Sequence, residues 1–91
     1  MDKDSLLKIR FDKAVEIASE MEALPPDVML EFYAYYKQAT KGDHFSFNAN
    51  HQQDLRNSFK FNAWMQLRGI TPKQAKKEYI KLVEKHTNQQ I

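Results

Sequence analysis

The stretch that decides the fold runs from residue 25 to residue 42 and reads PPDVMLEFYAYYKQATKG. Proline suits the first turn of a helix because its φ is fixed, and glycine commonly follows the last helical residue. Between these signals, apolar and aromatic residues recur every three or four positions, which is the period of an α-helix. The sequence therefore predicts a helix that follows Pro25-Pro26-Asp27 and runs to about Thr40-Lys41-Gly42.

Two faces of this helix carry apolar or aromatic residues. Four residues fall within a narrow arc and predict an ordinary core stripe: Val28, Phe32, Tyr35 and Ala39. Four others form a second stripe roughly 100° further round: Met29, Tyr33, Tyr36 and Thr40. This combined arc is wider than one packed face needs, so either two helices flank this one or part of the arc faces a ligand. The two tyrosines of the second stripe and Lys37 offer hydroxyl donors, an aromatic ring and a cation.

Three further helices are predicted by the same periodicity. The first carries apolar residues at spacings of three and four: Leu7, Phe11, Ala14, Ala18 and Met21. The third carries an apolar stripe at spacings of four, ending at Arg68-Gly69: Leu55, Phe59, Ala63 and Leu67. The fourth opens with a capping threonine and a proline, Thr71-Pro72. Its predicted inner face consists of Ala75, Tyr79, Leu82 and Val83.

Residues 43–54 read as a loop with two buried or half-buried phenylalanines, Phe45 and Phe47. The other connections are short, which is usual for helical bundles. The fold class is therefore all-α, a small four-helix bundle. A chain of 91 residues has room for one core, so residues 1–91 are expected to form a single domain.

Composition argues against several classes of protein. There is no cysteine, so a disulfide framework, a thiolate metal site and a cysteine nucleophile are excluded. The three histidines form no i, i+4 pair, and two glycines are too few for a phosphate-loop or dinucleotide fingerprint. We therefore expect neither an enzyme nor a metal site. No long apolar run or signal peptide is visible, which predicts a soluble cytoplasmic protein with no stable membrane insertion.

Charge is distributed unevenly along the chain, although its formal net charge is only +2. Residues 1–36 hold four basic and eight acidic residues, whereas residues 37–91 hold ten basic and four acidic residues. The later part would therefore prefer an anionic partner. Nucleic acid, a membrane surface and a phosphate-bearing small molecule all remain open on this ground.

Candidate ligand residues also lie on the third and fourth helices. Arg56, Lys60 and Trp64 are four residues apart, so two cations and an indole share one side of the third helix. A solvated basic edge over a packed indole is the simpler interpretation of either cation alone. Tyr79 lies on the apolar face of the fourth helix, where its hydroxyl needs a partner, which is either a ligand or a core hydrogen bond.

Several motifs together resemble the acyl-CoA-binding protein family. FDKA occupies residues 11–14, and FYAYYKQATKGD occupies residues 32–43. KFNAW at residues 60–64 and LRG at residues 67–69 follow in order and at nearly the family's intervals, as does a final pattern of Ala75, Tyr79-Ile80 and Val83. The resemblance covers the whole chain apart from residues 44–54.

The resemblance implies a four-helix bundle with up-down-down-up topology, which binds medium- to long-chain acyl-CoA esters without catalysing a reaction. It implies that Tyr33, Lys37 and Lys60 hold the ribose 3′-phosphate of the coenzyme and that Tyr36 stacks on adenine. Tyr79 would contact the middle of the coenzyme.

At the other end of the ligand, the resemblance places Met29 and Leu30 beside the acyl chain. Arg56 matches a family position that is usually basic and near the ligand. The sequence departs from the family pattern at Ser19, where the family has a lysine near the ligand, and at Phe61, where tryptophan is common. The segment after Gly42 also lacks the usual Pro-Gly pair and carries about one extra residue.

The expected function is non-catalytic binding, intracellular carriage and buffering of acyl-CoA by a monomer that needs no cofactor. The alternative is a basic helical interaction module that binds nucleic acid or a protein partner. Glu78 and Glu84 interrupt the basic residues of the fourth helix, and no arginine cluster occurs. We therefore expect no nucleic-acid partner.

Overall fold

A computed structural model of the chain describes residues 2–45 and 55–91, and for residues 55–57 it describes the backbone alone. This described part contains four α-helices, which confirms the all-α class: α1 (Lys3–Ser19), α2 (Pro26–Lys41), α3 (Leu55–Met65) and α4 (Pro72–Thr87). Phe47 and most of the predicted 43–54 loop lie outside the described residues. None of the helices in the described part is long and apolar enough to cross a membrane.

Local sequence explains where the helices begin and end. The Asp2 carboxylate accepts a hydrogen bond from the Ser5 backbone N–H at 2.7 Å at the start of α1. The Thr71 hydroxyl accepts from the Gln74 backbone N–H at 3.1 Å, so the predicted threonine cap of α4 is confirmed. α2 ends at Gly42, whose φ of +61° is a conformation that residues with a Cβ rarely adopt.

α1 and α4 lie side by side and run in the same direction. Lys73 in the first turn of α4 forms an ion pair with Asp4 in the first turn of α1, with an N–O distance of 3.1 Å. Arg10, further along α1, donates from Nε to the backbone carbonyl of Ile91, which follows α4, at 3.1 Å. The starts of α1 and α4 therefore lie together, and so do their later parts, as expected for parallel helices.

α2 runs in the opposite direction to α4. Phe32, in the first half of α2, has its ring centroid 5.7 Å from that of His86 in the last turn of α4. Gly42 at the other end of α2 lies beside Pro72, the first residue of α4. The end of one helix thus meets the start of the other.

α3 runs parallel to α2. Lys60 lies over the ring of Tyr33 in the middle of α2, and Trp64, one turn later, donates to the Gly42 carbonyl at the end of α2. With α1 parallel to α4 and α2 antiparallel to it, the four directions are up, down, down and up. The expected topology is confirmed.

The apolar core lies between α1, α2 and α4 and consists of Leu7, Phe11, Ala14, Ala39, Ala75, Tyr79, Ile80 and Val83. The predicted stripes of α1 and α4 supply six of these residues, which confirms both inner faces in outline. On α4, however, Leu82 is only half-buried, whereas Ile80 is 2% exposed and was not predicted to face the core.

The predicted inner stripe of α3 is wrong. Phe59 is 57% exposed and Ala63 is half-buried, whereas Trp64 is only 2% exposed. The reason is a hydrogen bond of 3.0 Å from the Trp64 indole N–H to the side-chain oxygen of Gln38, which is fully buried in α2. α3 therefore packs on α2 through the side that carries Trp64. The side chain of Leu55 lies outside the described residues.

The predicted core stripe of α2 is correct only in part. Ala39 is buried, but the other three members, Val28, Phe32 and Tyr35, are half-buried. The remaining buried side chains of α2 are Ala34 and Gln38. α2 thus packs with two faces because it has α4 and α1 on one side and α3 on the other.

Candidate functional site

Two lysines from different helices meet at one tyrosine ring. The Lys60 Nζ atom on α3 lies 5.2 Å from the centroid of the Tyr33 ring, and the Lys37 Nζ atom on α2 lies 5.8 Å from the same centroid. These contacts follow from the parallel arrangement of α2 and α3. No carboxylate within residues 2–45 and 58–91 forms an ion pair with either ammonium group. An anionic group that approached Tyr33 would therefore meet two cations.

A cluster of aromatic rings lies next to the lysines. The Tyr36 ring is stacked on Phe11, with a centroid distance of 6.1 Å and an angle of 20° between the planes. Its other neighbour is Tyr79, whose centroid is 6.2 Å away. Tyr36 remains 39% exposed. Its ring is therefore fixed by Phe11 and Tyr79 and still accessible, which suits stacking on a flat ligand group.

Tyr79 forms the floor of this cluster. It is 4% exposed, and its ring packs edge-on against Phe11 and Phe32 at centroid distances of 5.2 and 5.6 Å. Burial, with a smaller contribution from Tyr36, raises the pKa of Tyr79 to about 12. Burial also raises the pKa of Tyr33. Both hydroxyl groups are protonated at neutral pH, as those of ordinary tyrosines are, and can donate hydrogen bonds.

The aromatic cluster opens into a groove between α1 and α2. We name it the tyrosine groove, and its cavity volume is ≈ 390 Å³. Its lining includes Ala18, Met29, Phe32, Tyr33, Tyr36 and Tyr79. Ser19 also lies at this groove, and its hydroxyl donates to the Glu16 carbonyl at 2.6 Å. At this position the groove has a short hydroxyl instead of a lysine.

Met29 and Leu30, which the resemblance places together beside the acyl chain, border different depressions, although as consecutive residues they lie only about 100° apart around α2. Met29 belongs to the tyrosine groove and is 55% exposed. Leu30 belongs to a second depression of ≈ 760 Å³ between α2, α3 and α4, whose other lining residues include Phe59 and Leu82. We name this depression the α3 groove. Both residues lie near the start of α2, so the two grooves are neighbours at that end of the helix.

Two candidates from α3 have different outcomes. Arg56 lies in the first turn of α3, but its side chain is outside the described residues. Trp64 is buried and cannot stack on a ligand, which agrees with the simpler interpretation of a packed indole. The indole instead lies beneath the Lys37 ammonium group, with 5.3 Å between Nζ and the ring centroid.

Sequence reasoning also missed Gln38, which fixes this indole. Hydropathy assigns glutamine to the surface, and no pattern in a single sequence shows that its amide has a buried partner on another helix. The available signal was weaker: Gln38 is one turn after Ala34 on the side of α2 that belongs to neither stripe, where another helix could pack.

Comparison with known proteins agrees with these features. The sequence model of the family described as "Acyl CoA binding protein" matches residues 8–83. The chain therefore belongs to the acyl-CoA-binding protein family. This membership does not favour the alternative of a nucleic-acid or protein-binding module.

Individual relatives agree over most of their length. The chain is 38% identical over 79 residues to the "Acyl-CoA-binding protein homolog" of Manduca sexta, covering 86% of this chain and 88% of the relative. It is 36% identical over 80 residues to the "Acyl-CoA-binding protein" of Saccharomyces cerevisiae, covering 81% of this chain and 85% of the relative. For "Acyl-CoA-binding protein homolog 1" of Caenorhabditis elegans the identity is 32% over 79 residues, with coverages of 86% and 91%.

Proposed function

We propose that this protein binds and carries acyl-CoA esters and does not transform them. The observation that carries the proposal is the convergence of Lys37 and Lys60 on Tyr33, beside the exposed ring of Tyr36. Acyl-CoA combines concentrated negative charge, a flat purine and an apolar tail, and the site offers a counterpart for each. Because carriage makes and breaks no covalent bond, it requires neither a nucleophile nor a general base, and the family is non-catalytic.

In this proposal the head group lies over the middle of α2. The ribose 3′-phosphate accepts from the Lys37 and Lys60 ammonium groups and from the Tyr33 hydroxyl. Adenine stacks on Tyr36, and the Tyr79 hydroxyl contacts the middle part of the coenzyme. Arg56 adds a positive charge one turn before Lys60 on the same helix.

The acyl chain lies toward the start of α2. Met29 and Lys37 are eight residues apart, which is roughly 12 Å along a helix. A tail beside Met29 and Leu30 therefore begins about that far from the phosphate site. Each buried methylene stabilises the complex by about 0.8 kcal/mol, so medium and long chains gain more than short ones. The proposal thus includes a preference for medium- to long-chain esters.

The proposed carrier is a monomer. We place this carriage and buffering in the cytoplasm, where the ester would be exchanged between other proteins. No resident cofactor takes part, because the acyl-CoA is the cargo.

Calorimetric titration with palmitoyl-CoA, CoA and palmitate tests the proposal. We expect tight binding of palmitoyl-CoA, weak binding of CoA and hardly any binding of palmitate. The tail supplies much of the affinity, and the phosphate contacts select coenzyme esters over fatty acids. Equal affinity for palmitate and palmitoyl-CoA would show that the head-group site is misplaced.

A double-mutant cycle tests the phosphate site itself. Lys37→Met and Lys60→Met should each weaken palmitoyl-CoA binding, and their combined loss should be less than additive because both cations bind one phosphate. With palmitoyl-dephospho-CoA, which lacks the 3′-phosphate, the losses should shrink. Lys13→Met is the control, since it removes the same charge from an exposed position on α1. Additive losses of equal size for both ligands would contradict a shared phosphate.

A further inference from the structure

Trp64 is a large, fully buried side chain whose ring faces a lysine. With 2% of its surface exposed, the indole has no area for a ligand. The Lys37 Nζ atom nevertheless lies 5.3 Å from the indole centroid, and 5.8 Å from that of Tyr33. Because the face of an aromatic ring attracts a cation, Lys37 is held by two rings, one of which is buried.

The indole itself cannot rotate without losing hydrogen bonds. Its N–H donates to the Gln38 side-chain oxygen at 3.0 Å and to the Gly42 carbonyl at 3.2 Å. The Gln38 amide nitrogen donates to the Asp43 carboxylate at 2.9 Å and to the Ile70 carbonyl at 2.7 Å. Reversing this amide would oppose donor to donor and acceptor to acceptor, so only one orientation satisfies all the partners.

Asp43 fixes the far end of this network. Its carboxylate also accepts from the Gly69 backbone N–H, at 3.0 and 3.3 Å to its two oxygens. Gln38 and Asp43 therefore tie the indole to the backbone of Gly69 and Ile70, which follow α3. The plane of the Trp64 ring is set by contacts that involve no ligand.

Lys37 needs such a support. A lysine side chain has four rotatable bonds, so an unsupported ammonium group samples many positions. Lys60 approaches the same Tyr33 ring, and two like charges repel each other when no anion lies between them. The buried Trp64 ring opposes this repulsion and keeps Lys37 at the Tyr33 ring.

We infer that Trp64 is a positioning residue for phosphate recognition. Its ring face holds the Lys37 ammonium group where an incoming phosphate dianion needs it, and Gln38 and Asp43 fix the ring. The inference rests on the proposed function, because it assigns to Lys37 the 3′-phosphate of an acyl-CoA. The inference gives Trp64, Gln38 and Asp43 a part in selecting the ligand, although none of them touches it.

The test compares two ligands that differ only in the 3′-phosphate. Trp64→Leu removes the ring and should weaken palmitoyl-CoA binding about two- to fivefold, the range expected for a single cation–π contact. Binding of palmitoyl-dephospho-CoA should stay the same, so discrimination between the ligands falls. In a Lys37→Met background, Trp64→Leu should have no further effect on affinity. Leu7→Ala, a core substitution in α1, is the control for lost stability and should leave discrimination unchanged.

Equal weakening of both ligands by Trp64→Leu would overturn the inference, because it would show a merely structural role. If the wild-type protein itself shows no preference for the 3′-phosphate, the proposed function fails at that phosphate. If the wild type does show the preference and Trp64→Leu keeps it, only the positioning role fails.

A measurement on the ligand-free wild-type protein covers the case in which Trp64→Leu does not fold. Protons above an aromatic ring are shielded, so the NMR signals of the Lys37 ε-methylene should lie upfield of those of Lys13, which is exposed on α1. In a folded Trp64→Leu variant these signals should move downfield. Coincident signals of Lys37 and Lys13 in the wild type would overturn the inference without any variant.

Discussion

The two interfaces of α2 are built from different kinds of contact. Toward α1 and α4, Phe32 and Ala39 of α2 pack on apolar and aromatic side chains, among them Tyr79. Toward α3, the central contact is a hydrogen bond between two buried side chains, Gln38 and Trp64. We name these the apolar interface and the amide interface. In the apolar interface, the shape and volume of a side chain decide whether it packs well. In the amide interface, every hydrogen-bond donor must also meet an acceptor.

This difference predicts how each interface tolerates change. Apolar contacts are not directional, so a substitution that conserves volume loses little. A buried amide has directional partners, so a substitution of similar size leaves polar groups without hydrogen bonds. The next four experiments test this contrast in order of decreasing effect.

The largest expected effect comes from opening a cavity in the apolar core, of which the apolar interface is a part. Ile80 is 2% exposed, and Ile80→Ala should lower the free energy of unfolding by about 2–5 kcal/mol. Phe59→Ala removes a larger side chain, but Phe59 is 57% exposed, so the expected change is within about 0.5 kcal/mol. Urea denaturation measures both. A larger loss for Phe59→Ala than for Ile80→Ala would mean that α3 packs as the apolar stripe predicted.

The amide interface should respond strongly to a change that hardly alters volume. Gln38→Leu removes the donor to the Ile70 carbonyl and leaves the indole N–H with the Gly42 carbonyl alone. We expect a loss of about 1–3 kcal/mol in unfolding free energy. Ile80→Leu is the matched change in the apolar core and should cost less. If Ile80→Leu is the more damaging, the contrast between the interfaces is wrong.

High pH should weaken the apolar interface through Tyr79. The pKa of Tyr79 is about 12 in the folded protein, against the ordinary value of 10.0, so the folded state holds the phenol proton more tightly. This contribution is complete below pH 10 and is lost as the pH rises through about 12. Relative to Tyr79→Phe, the wild type should lose up to about 3 kcal/mol across this range. Parallel pH profiles of the two proteins, from urea unfolding, would contradict this expectation.

Low pH should weaken the amide interface, with the smallest effect of the four. The hydrogen bond from Gln38, followed by that from the Gly69 backbone, lowers the pKa of Asp43 below its ordinary value of 3.8. The resulting stability is present above pH 3.8 and is lost as the pH falls through the lower folded value. Asp43→Asn lacks this carboxylate and should show less acid sensitivity. Thermal melts near neutral pH and below pH 3.8 measure the difference, and identical acid sensitivity would show that the Asp43 charge is irrelevant.

The sequence predicted the apolar interface much better than the amide interface. Leu7, Phe11 and Val83 follow helical periodicity because each packs through one apolar face. The α3 stripe failed because residues spaced strictly by four drift by about 40° at each step, which carries Phe59 away from the buried side. The bond between Gln38 and Trp64 has no hydropathy signal.

The candidate site was predictable in its parts but not in its assembly. The spacing of Tyr33 and Lys37 placed them on one side of α2, because one helical turn separates them. The approach of Lys60 depends on the parallel packing of α3 on α2, and the resemblance to a family, not the periodicity, supplied that topology. Met29 and Leu30 border different grooves because α1 and α3 lie on different sides of α2. Predicting this would have required the positions of both helices.

The bond between Asp43 and the Gly69 backbone N–H also has a topological consequence. The chain departs from the end of α2 at one residue of this pair and returns at the other. The hydrogen bond therefore joins the two ends of the segment 44–68, and α4 begins shortly after it, at Pro72. Because this bond holds Gly69 at Asp43 whatever the length of chain between them, insertions between residues 45 and 55 should leave α4 in place against α2.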